Sequence, residues 1–142
     1  MTGIPGGRAV HDETFDAVLF DMDGTLVDST ASVVRSWTRW AEEFAVPRAA
    51  LRATPMHGRP AADIVADLVP AGQVQRAYRR IVELEVSDTE GCVLLPGASA
   101  ALVAVGDRGA IVTSCSTPLA RARLSAAAVP VKPRARPRRP RG

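Results

Sequence analysis

An α/β fold with helices layered on a parallel sheet is the architecture that this sequence predicts. Two short apolar runs, residues 17–20 and residues 110–112, have the length and composition of buried strands. The stretches between and after these runs repeat apolar residues every three or four positions, which is the period of amphipathic helices. Strands that alternate with helices favour this layered arrangement.

The first strand, AVLF at residues 17–20, ends in the turn sequence DMDG at residues 21–24. From Asp28 onward the pattern becomes helical, and Pro47 ends the helix. One face of this helix carries four large apolar residues at steps of four, three and four: Val33, Trp37, Trp40 and Phe44.

Four more helices are predicted further along the chain. Proline marks several of their limits, because it is tolerated in the first turn of a helix and ends the helix elsewhere. These helices cover residues 60–70, 73–86, 98–105 and 118–128, and the second strand lies between the last two.

The 142-residue chain is long enough for one domain, or for one domain with a small insertion. It is 46% apolar and 23% charged, which is typical of soluble globular proteins. No apolar run approaches the about 18 residues that a membrane span needs. Cys92 and Cys115 match neither a disulfide framework nor a zinc site. We therefore expect a cytoplasmic protein without a membrane segment.

Basic residues are concentrated late in the chain. Residues 108–142 hold nine of the 18 basic residues and none of the 15 acidic ones. The tail at residues 130–142, PVKPRARPRRPRG, has almost nothing apolar to bury, so we expect it to be disordered. Such a tail could bind a polyanion, but no aromatic residue follows Tyr78 to stack on bases, which argues against nucleic acid as a partner.

Two carboxylates follow the first strand directly, at Asp21 and Asp23. The carboxyl ends of parallel strands are where open α/β sheets bind their ligands. Two carboxylates two positions apart can face one crevice, and such a pair suits Mg²⁺, which takes a few carboxylates together with water and phosphate oxygens. The alternative is an ordinary strand end with a hydrated acidic turn.

The longer stretch AVLFDMDGTLVDS, residues 17–29, resembles the first motif of the haloacid dehalogenase superfamily of phosphotransferases. The resemblance implies a parallel-sheet core of the haloacid dehalogenase type with a helical cap insertion. It also implies an Mg²⁺-dependent phosphatase in which Asp21 attacks the phosphoryl group and becomes an aspartyl phosphate. Asp23 then acts as the general acid and base, and the metal is held by the Asp21 carboxylate and the Asp23 backbone carbonyl.

The second strand runs into IVTSCSTP, residues 111–118, just before a predicted helix. Amides and small hydroxyls at a helix start favour a phosphate dianion. By resemblance, Thr113 and the Ser114 amide bind the transferring phosphoryl group. Ser116 or Thr117 is also expected to cap the helix. Cys115 is interpreted as a small packing residue, because no base or cation lies near it in the sequence.

The region between the two motifs lies where one branch of the family carries its cap. The resemblance implies a cap at residues 29–92, a core at residues 15–28 and 93–129, and the tail at residues 130–142. His57 and Arg59 lie on a loop in the cap and are candidates to contact the substrate; the alternative is that both are solvated surface residues. The sequences of these motifs resemble those of the subgroup that acts on sugar and polyol phosphates. The resemblance therefore implies a small phosphorylated metabolite as the partner.

The resemblance ends near residue 130. A third-motif Lys cannot be placed, because Lys132 follows Thr113 too closely, and no Asp or Glu follows Asp107 to form the fourth motif. We therefore expect a core that is incomplete at its C-terminus and self-associates through an exposed edge. The alternative function is that of a non-catalytic truncated remnant, or of a polyanion-binding protein that uses the basic tail.

Overall fold

Four strands and six α-helices follow one another along residues 13–129, the part of the chain that the computed structural model describes. The predicted disordered tail at residues 130–142 lies outside the described residues. None of the helices in the described part combines the length and apolar content that a membrane crossing requires. In chain order the elements are β1 (Val18–Phe20), β2 (Val27–Asp28), α1 (Thr30–Glu43), α2 (Arg48–Ala53), α3 (Ala61–Leu68), α4 (Val74–Ser87), β3 (Val93–Leu94), α5 (Ala98–Val105), β4 (Gly109–Ile111) and α6 (Thr117–Ala126).

Strands β1 and β4 pair in parallel, as the sequence predicted. Leu19 lies opposite Ala110 and Phe20 opposite Ile111, and the Val112 amide donates to the Phe20 carbonyl at 2.8 Å. Since the two strands run in the same direction, their carboxyl ends meet at one edge of the sheet. The acidic turn after β1 and the hydroxyl-rich loop after β4 are therefore neighbours.

The expectation that both strands are buried is wrong. Phe20 and Ile111 pack against buried residues, whereas Leu19 is 69% exposed and Val112 is 56% exposed. Successive side chains of a strand point to opposite faces, so these two residues mark the second face of the sheet. Parallel sheets are normally covered on both faces. Within residues 13–129, helices cover only the face of Phe20 and Ile111.

We propose that this uncovered face makes the chain self-associate, because exposed apolar strands next to unpaired edges are sites of association. Leu19→Glu places a charge on the face and should shift the sedimentation profile towards the monomer. Val93→Glu is the matched control, since Val93 is 54% exposed but lies on β3, outside this sheet. A wild-type chain that stays monomeric at rising concentration would contradict the proposal.

A second, antiparallel pair joins β2 to β3, with Val27 opposite Leu94. Neither strand was predicted, because two residues are too few to show a periodic pattern. The tight turn before β2 is closed by the Gly24 amide, which donates to the Val27 carbonyl at 2.9 Å. Gly24 has a φ of 76°, a conformation that favours glycine. The two chain segments that lead into and out of the helical region are therefore held side by side.

The predicted helices are present within a few residues of their expected bounds, and one more was missed. Helix α2 follows directly after Pro47, and none of its residues is buried. Only Ala50 and Leu51 pack against the helical cluster, and a six-residue helix with two such positions is too short to show the apolar period on which the prediction depended.

The described residues form two apolar clusters, one in the helical region and one around the parallel sheet. The helical cluster is centred on Trp40, which is fully buried, stacks on Phe44 and meets Trp37 edge-on. The sheet cluster contains Met22, Leu26 and Val27, together with residues from the loops and helices after β3. The domain bounds given above stay a prediction. The helical cluster lies wholly within the predicted cap, and the sheet cluster lies within the predicted core except for Cys92, the last residue of the predicted cap.

Candidate active site

One cavity of about 450 Å³ collects every site residue that the sequence singled out. Its floor is formed by the loops after β1 and β4, and its walls come from helices and loops of the predicted cap and from Leu119 and Arg123 of α6. The predicted residues that line it are Asp21, Asp23, His57, Arg59, Thr113 and Ser114. Residues from three separate stretches of sequence are thus brought to one place.

Asp21 lies immediately beyond the last residue of β1 and is exposed to solvent. One of its carboxylate oxygens, Oδ1, accepts a hydrogen bond of 2.8 Å from the Met22 amide. Because Met22 is fully buried, this amide is a fixed donor that orients the Asp21 carboxylate. The other oxygen, Oδ2, takes part in none of the hydrogen bonds within the described residues.

Asp23 is held on both of its carboxylate oxygens. Oδ1 accepts a hydrogen bond of 2.7 Å from the Ser29 hydroxyl. Oδ2 accepts from the Arg123 guanidinium and from the Cys115 thiol, each at 3.1 Å. The side chain is therefore fixed by partners from the start of α1, from the loop after β4 and from α6.

The residues present fit a magnesium ion bound in the way the resemblance implies. The described residues contain no cluster of three or more acidic, histidine or cysteine side chains that could enclose a metal by themselves. Mg²⁺ does not require one, because it is commonly bound by one or two protein oxygens with water and substrate phosphate. Two such oxygens are on hand, Asp21 Oδ2 and the Asp23 backbone carbonyl, which accepts no hydrogen bond among the described residues.

The loop after β4 places Thr113 and Ser114 beside the two aspartates. The Thr113 hydroxyl accepts a hydrogen bond of 3.1 Å from the Cys115 amide, which ties the loop into a turn. The Ser114 amide is not used by any hydrogen bond within residues 13–129. Ser116 occupies the N-cap position of α6, with Pro118 in the first turn, but the predicted capping contact is not formed, because the Ser116 hydroxyl is buried without a hydrogen-bond partner among the described residues.

The two cap candidates differ in how firmly they are held. His57 is exposed, and no described hydrogen bond holds its ring. Arg59 forms an ion pair of 2.7 Å with Asp67 and donates to the Pro55 carbonyl at 3.2 Å. The Arg59 guanidinium is thus oriented by its own loop and by α3, at the rim of the cavity.

Two charged residues of the cavity wall were not predicted, namely Arg123 and Glu85. Their side chains are 4% and 6% exposed, and Arg123 Nη2 donates to Glu85 Oε1 at 2.9 Å. Burial raises the pKa of Glu85, and the Arg123 guanidinium opposes part of that rise. Burial also disfavours the charge on Arg123, but Asp23 and Glu85 outweigh it and raise its pKa, so the guanidinium stays charged.

The interpretation of Cys115 as a packing residue is confirmed, since its side chain packs against the sheet cluster, but a carboxylate and a cation that are distant in sequence lie beside its thiol. Its thiol donates to Asp23, and Arg123 Nη1 lies 3.5 Å from its sulfur. Burial raises the pKa of Cys115 to about 11. The thiol is therefore protonated at neutral pH and serves as a hydrogen-bond donor rather than as a nucleophile.

Comparisons with known proteins identify relatives of this chain in sequence and in fold. Hexitol phosphatase A of Escherichia coli (strain K12) is 37% identical over 118 residues, which are 79% of this chain and 54% of the relative. A hydrolase from Pseudomonas syringae superposes with a TM-score of 0.62 at 22% identity, over 78% of this chain and 53% of that one. A haloacid dehalogenase-like family hydrolase from Streptococcus pneumoniae superposes with a TM-score of 0.61 at 22% identity, over 78% and 54%.

The chain spans about half the length of these relatives. A family model described as haloacid dehalogenase-like hydrolase matches residues 18–129, from the first residue of β1 to the last described residue. The match includes both strand ends, the intervening helices and the cavity between them. The observed fold is accordingly an α/β core of the haloacid dehalogenase type with a helical cap. The chain belongs to the haloacid dehalogenase-like hydrolase family.

Proposed function

We propose that this chain is a magnesium-dependent phosphatase that hydrolyses the phosphate monoester of a sugar or polyol through an aspartyl phosphate. The observation that carries the proposal is the convergence of Asp21, Asp23, Thr113 and Ser114 on one cavity. A volume of about 450 Å³ lies within the range of cavities that take small molecules. A cytoplasmic location stays a prediction.

The chain's own residues suggest a two-step reaction. In the first step an Asp21 oxygen forms a bond to phosphorus, and the bond from phosphorus to the substrate's alcohol oxygen breaks. Asp23 gives its proton to that departing oxygen. In the second step Asp23 takes a proton from water, the water oxygen bonds to phosphorus, and the bond to Asp21 breaks to release inorganic phosphate.

Thr113 and Ser114 support the role of phosphate ligands by position and by donor type. The Ser114 amide and the Thr113 hydroxyl lie in the loop that leads into α6, where helix-start amides favour an anion. When bound, Mg²⁺ would offset the repulsion between the Asp21 carboxylate and the phosphate. The fixed Met22 amide orients Asp21 for its two proposed roles, as the nucleophile and as a ligand of the metal.

The substrate class rests on the likeness to hexitol phosphatase A and on the walls of the cavity. Arg59, His57 and Tyr78 line the cavity away from the strand ends. Their guanidinium, imidazole and phenol groups can hydrogen-bond to hydroxyls of a polyol chain. A hexitol phosphate would therefore place its phosphate at the strand ends and its hydroxyls against the cap.

The direct test is the release of inorganic phosphate from a panel of hexitol, sugar and aryl phosphates, with Mg²⁺ and with EDTA. We expect turnover that requires Mg²⁺ and that favours a polyol phosphate over an aryl phosphate. Absence of release from every compound would overturn the proposal. Binding of a DNA oligomer by the same inactive chain would then favour the alternative of a polyanion-binding protein.

Arg59→Ala should weaken recognition of the sugar part selectively. We expect KM for a hexitol phosphate to rise about 10-fold, the effect of losing one charge-assisted hydrogen bond, and KM for a small aryl phosphate to change little. The control is Arg52→Ala, which removes an exposed arginine of α2 that does not line the cavity. Equal changes in KM for both substrates would favour the alternative that Arg59 is a solvated surface residue.

A further inference from the structure

The most unusual feature outside the predicted site is a buried arginine that joins the two halves of the molecule. Arg123 lies in the last turn of α6, close to the sheet, and its partner Glu85 lies on α4, in the helical region. Its other carboxylate partner is Asp23, in the loop after β1. One guanidinium thus contacts two segments of the chain, which lie 38 and 100 residues away from it in sequence.

Each terminal nitrogen of the guanidinium donates to a separate carboxylate. Nη2 donates to Glu85 Oε1 at 2.9 Å, while Nη1 donates to Asp23 Oδ2 at 3.1 Å. A planar guanidinium with fixed donor directions can hold two carboxylates at set positions, which an ammonium group cannot do. Because both contacts use the same rigid group, the position of Glu85 restricts where Asp23 can lie.

Arg123 has little surface left for a substrate. Its side chain is 4% exposed, and Nη1 is shared between Asp23 and the Cys115 sulfur. The remaining nitrogen, Nε, is buried without a hydrogen-bond partner among the described residues. Arg123 therefore leaves Nε unpaired, while its two terminal nitrogens hold the carboxylates of Asp23 and Glu85.

We propose that Arg123 is the positioning residue for Asp23, and that Glu85 fixes Arg123 from helix α4. The proposal rests on the proposed function, since Asp23 is there the proton donor and acceptor. Arg123 does not touch the reacting atoms; it acts by holding the carboxylate that does. Cap and core are linked by this contact, so the docking of α4 determines the position of the proton-transferring group.

The test separates positioning from a merely structural role by means of a double variant. Arg123→Met alone leaves Glu85 buried without its partner and should lower both the unfolding temperature and kcat. The double variant Glu85→Met, Arg123→Met replaces the buried pair by apolar side chains and should recover most of the unfolding temperature. We expect its kcat to stay about 10- to 100-fold below wild type, the effect of a misplaced catalytic group.

KM and two further variants distinguish the positioning of Asp23 from substrate binding and from a purely structural role. KM for an aryl phosphate should change less than about threefold in the double variant, because Arg123 does not contact substrate. Arg123→Lys should recover part of kcat, since its ammonium can still contact one carboxylate. Arg121→Met, two residues away on the same helix and exposed, should leave kcat and unfolding temperature unchanged. Recovery of kcat together with stability in the double variant would overturn the proposal.

A second measurement keeps the inference separate from the proposed function. The carboxyl-carbon NMR signal of Asp23 should shift in Arg123→Met and in the double variant, and should return towards the wild-type position in Arg123→Lys. If the wild type releases no phosphate, the proposed function fails, and this signal still decides whether Arg123 positions Asp23. An Asp23 signal that is the same in the wild type and the double variant would overturn the inference.

Discussion

Asp21→Asn is expected to reduce phosphate release to the level of the buffer control, a loss of at least about 10³-fold. The reason is chemical, because the amide of Asn is a far poorer nucleophile at phosphorus than a carboxylate. The exposed position of Asp21 at the end of β1 allows the change without disturbing the fold. The measurement is the initial rate of phosphate release from a hexitol phosphate at saturating Mg²⁺.

A matched variant and a second readout make this expectation specific. Asp63→Asn removes an exposed carboxylate in the first turn of α3 that does not line the cavity, and its rate should equal that of the wild type. Acid-quenched wild type should carry a phosphoryl group on the peptide that contains Asp21, and Asp21→Asn should carry none. Wild-type turnover by Asp21→Asn would exclude the aspartyl-phosphate pathway.

The parts of the site that could be predicted are those encoded in continuous sequence. Residues 17–29 contain the strand, the acidic turn and the N-cap residue of α1, so one motif carries both Asp21 and Asp23. The loop at residues 111–118 likewise carries both Thr113 and Ser114 in one continuous stretch. That these two stretches meet follows from a general property of parallel strands, whose carboxyl ends share one edge of the sheet.

Arg123 and Glu85 could not be assigned in the same way, although the sequence does carry a signal of their burial. Arg123 follows Leu119 by four positions and precedes Ala127 by four, and all three are buried on one face of α6. Glu85 follows buried Ile81 by four on α4. A charge on an apolar helix face indicates a buried partner, but its identity depends on contacts across 38 and 100 residues.

The exposure of the strands could not be predicted from the sequence either. An apolar run predicts a strand and favours burial, but burial depends on which elements cover the sheet. Phe20 and Leu19 are adjacent and both apolar, yet one packs against the core while the other is 69% exposed. No local pattern distinguishes them, because the difference lies in the face that the helices cover.

One buried side chain, that of Trp40, joins two helices of the helical region. Trp40 is fully buried, and its indole Nε1 donates to the Ala77 carbonyl of α4 at 2.9 Å. It also stacks on Phe44, with ring centroids 5.3 Å apart. Trp40 therefore joins α1 to α4, the helix that carries Glu85 and Tyr78 into the cavity wall.

Trp40→Ala should accordingly lower the free energy of unfolding by about 3–5 kcal/mol, the usual cost of truncating a large buried aromatic side chain. Native domains are stable by only about 5–15 kcal/mol, so this one change can unfold the helical region at moderate temperature. Urea titration followed by circular dichroism measures the loss. Val34→Ala, on the exposed face of α1, should change stability by less than about 0.5 kcal/mol.

The variant also connects stability with the site. If Trp40 holds α4 in place, hydrogen exchange in Trp40→Ala should accelerate first in α1, α3 and α4, while the pairing of β1 with β4 keeps its protection. Trp40→Phe retains the stacked ring and most of the volume, so it should lose much less stability than Trp40→Ala. Uniform loss of protection across both clusters would show instead that the helical region and the sheet unfold as one unit, with Trp40 stabilising the whole.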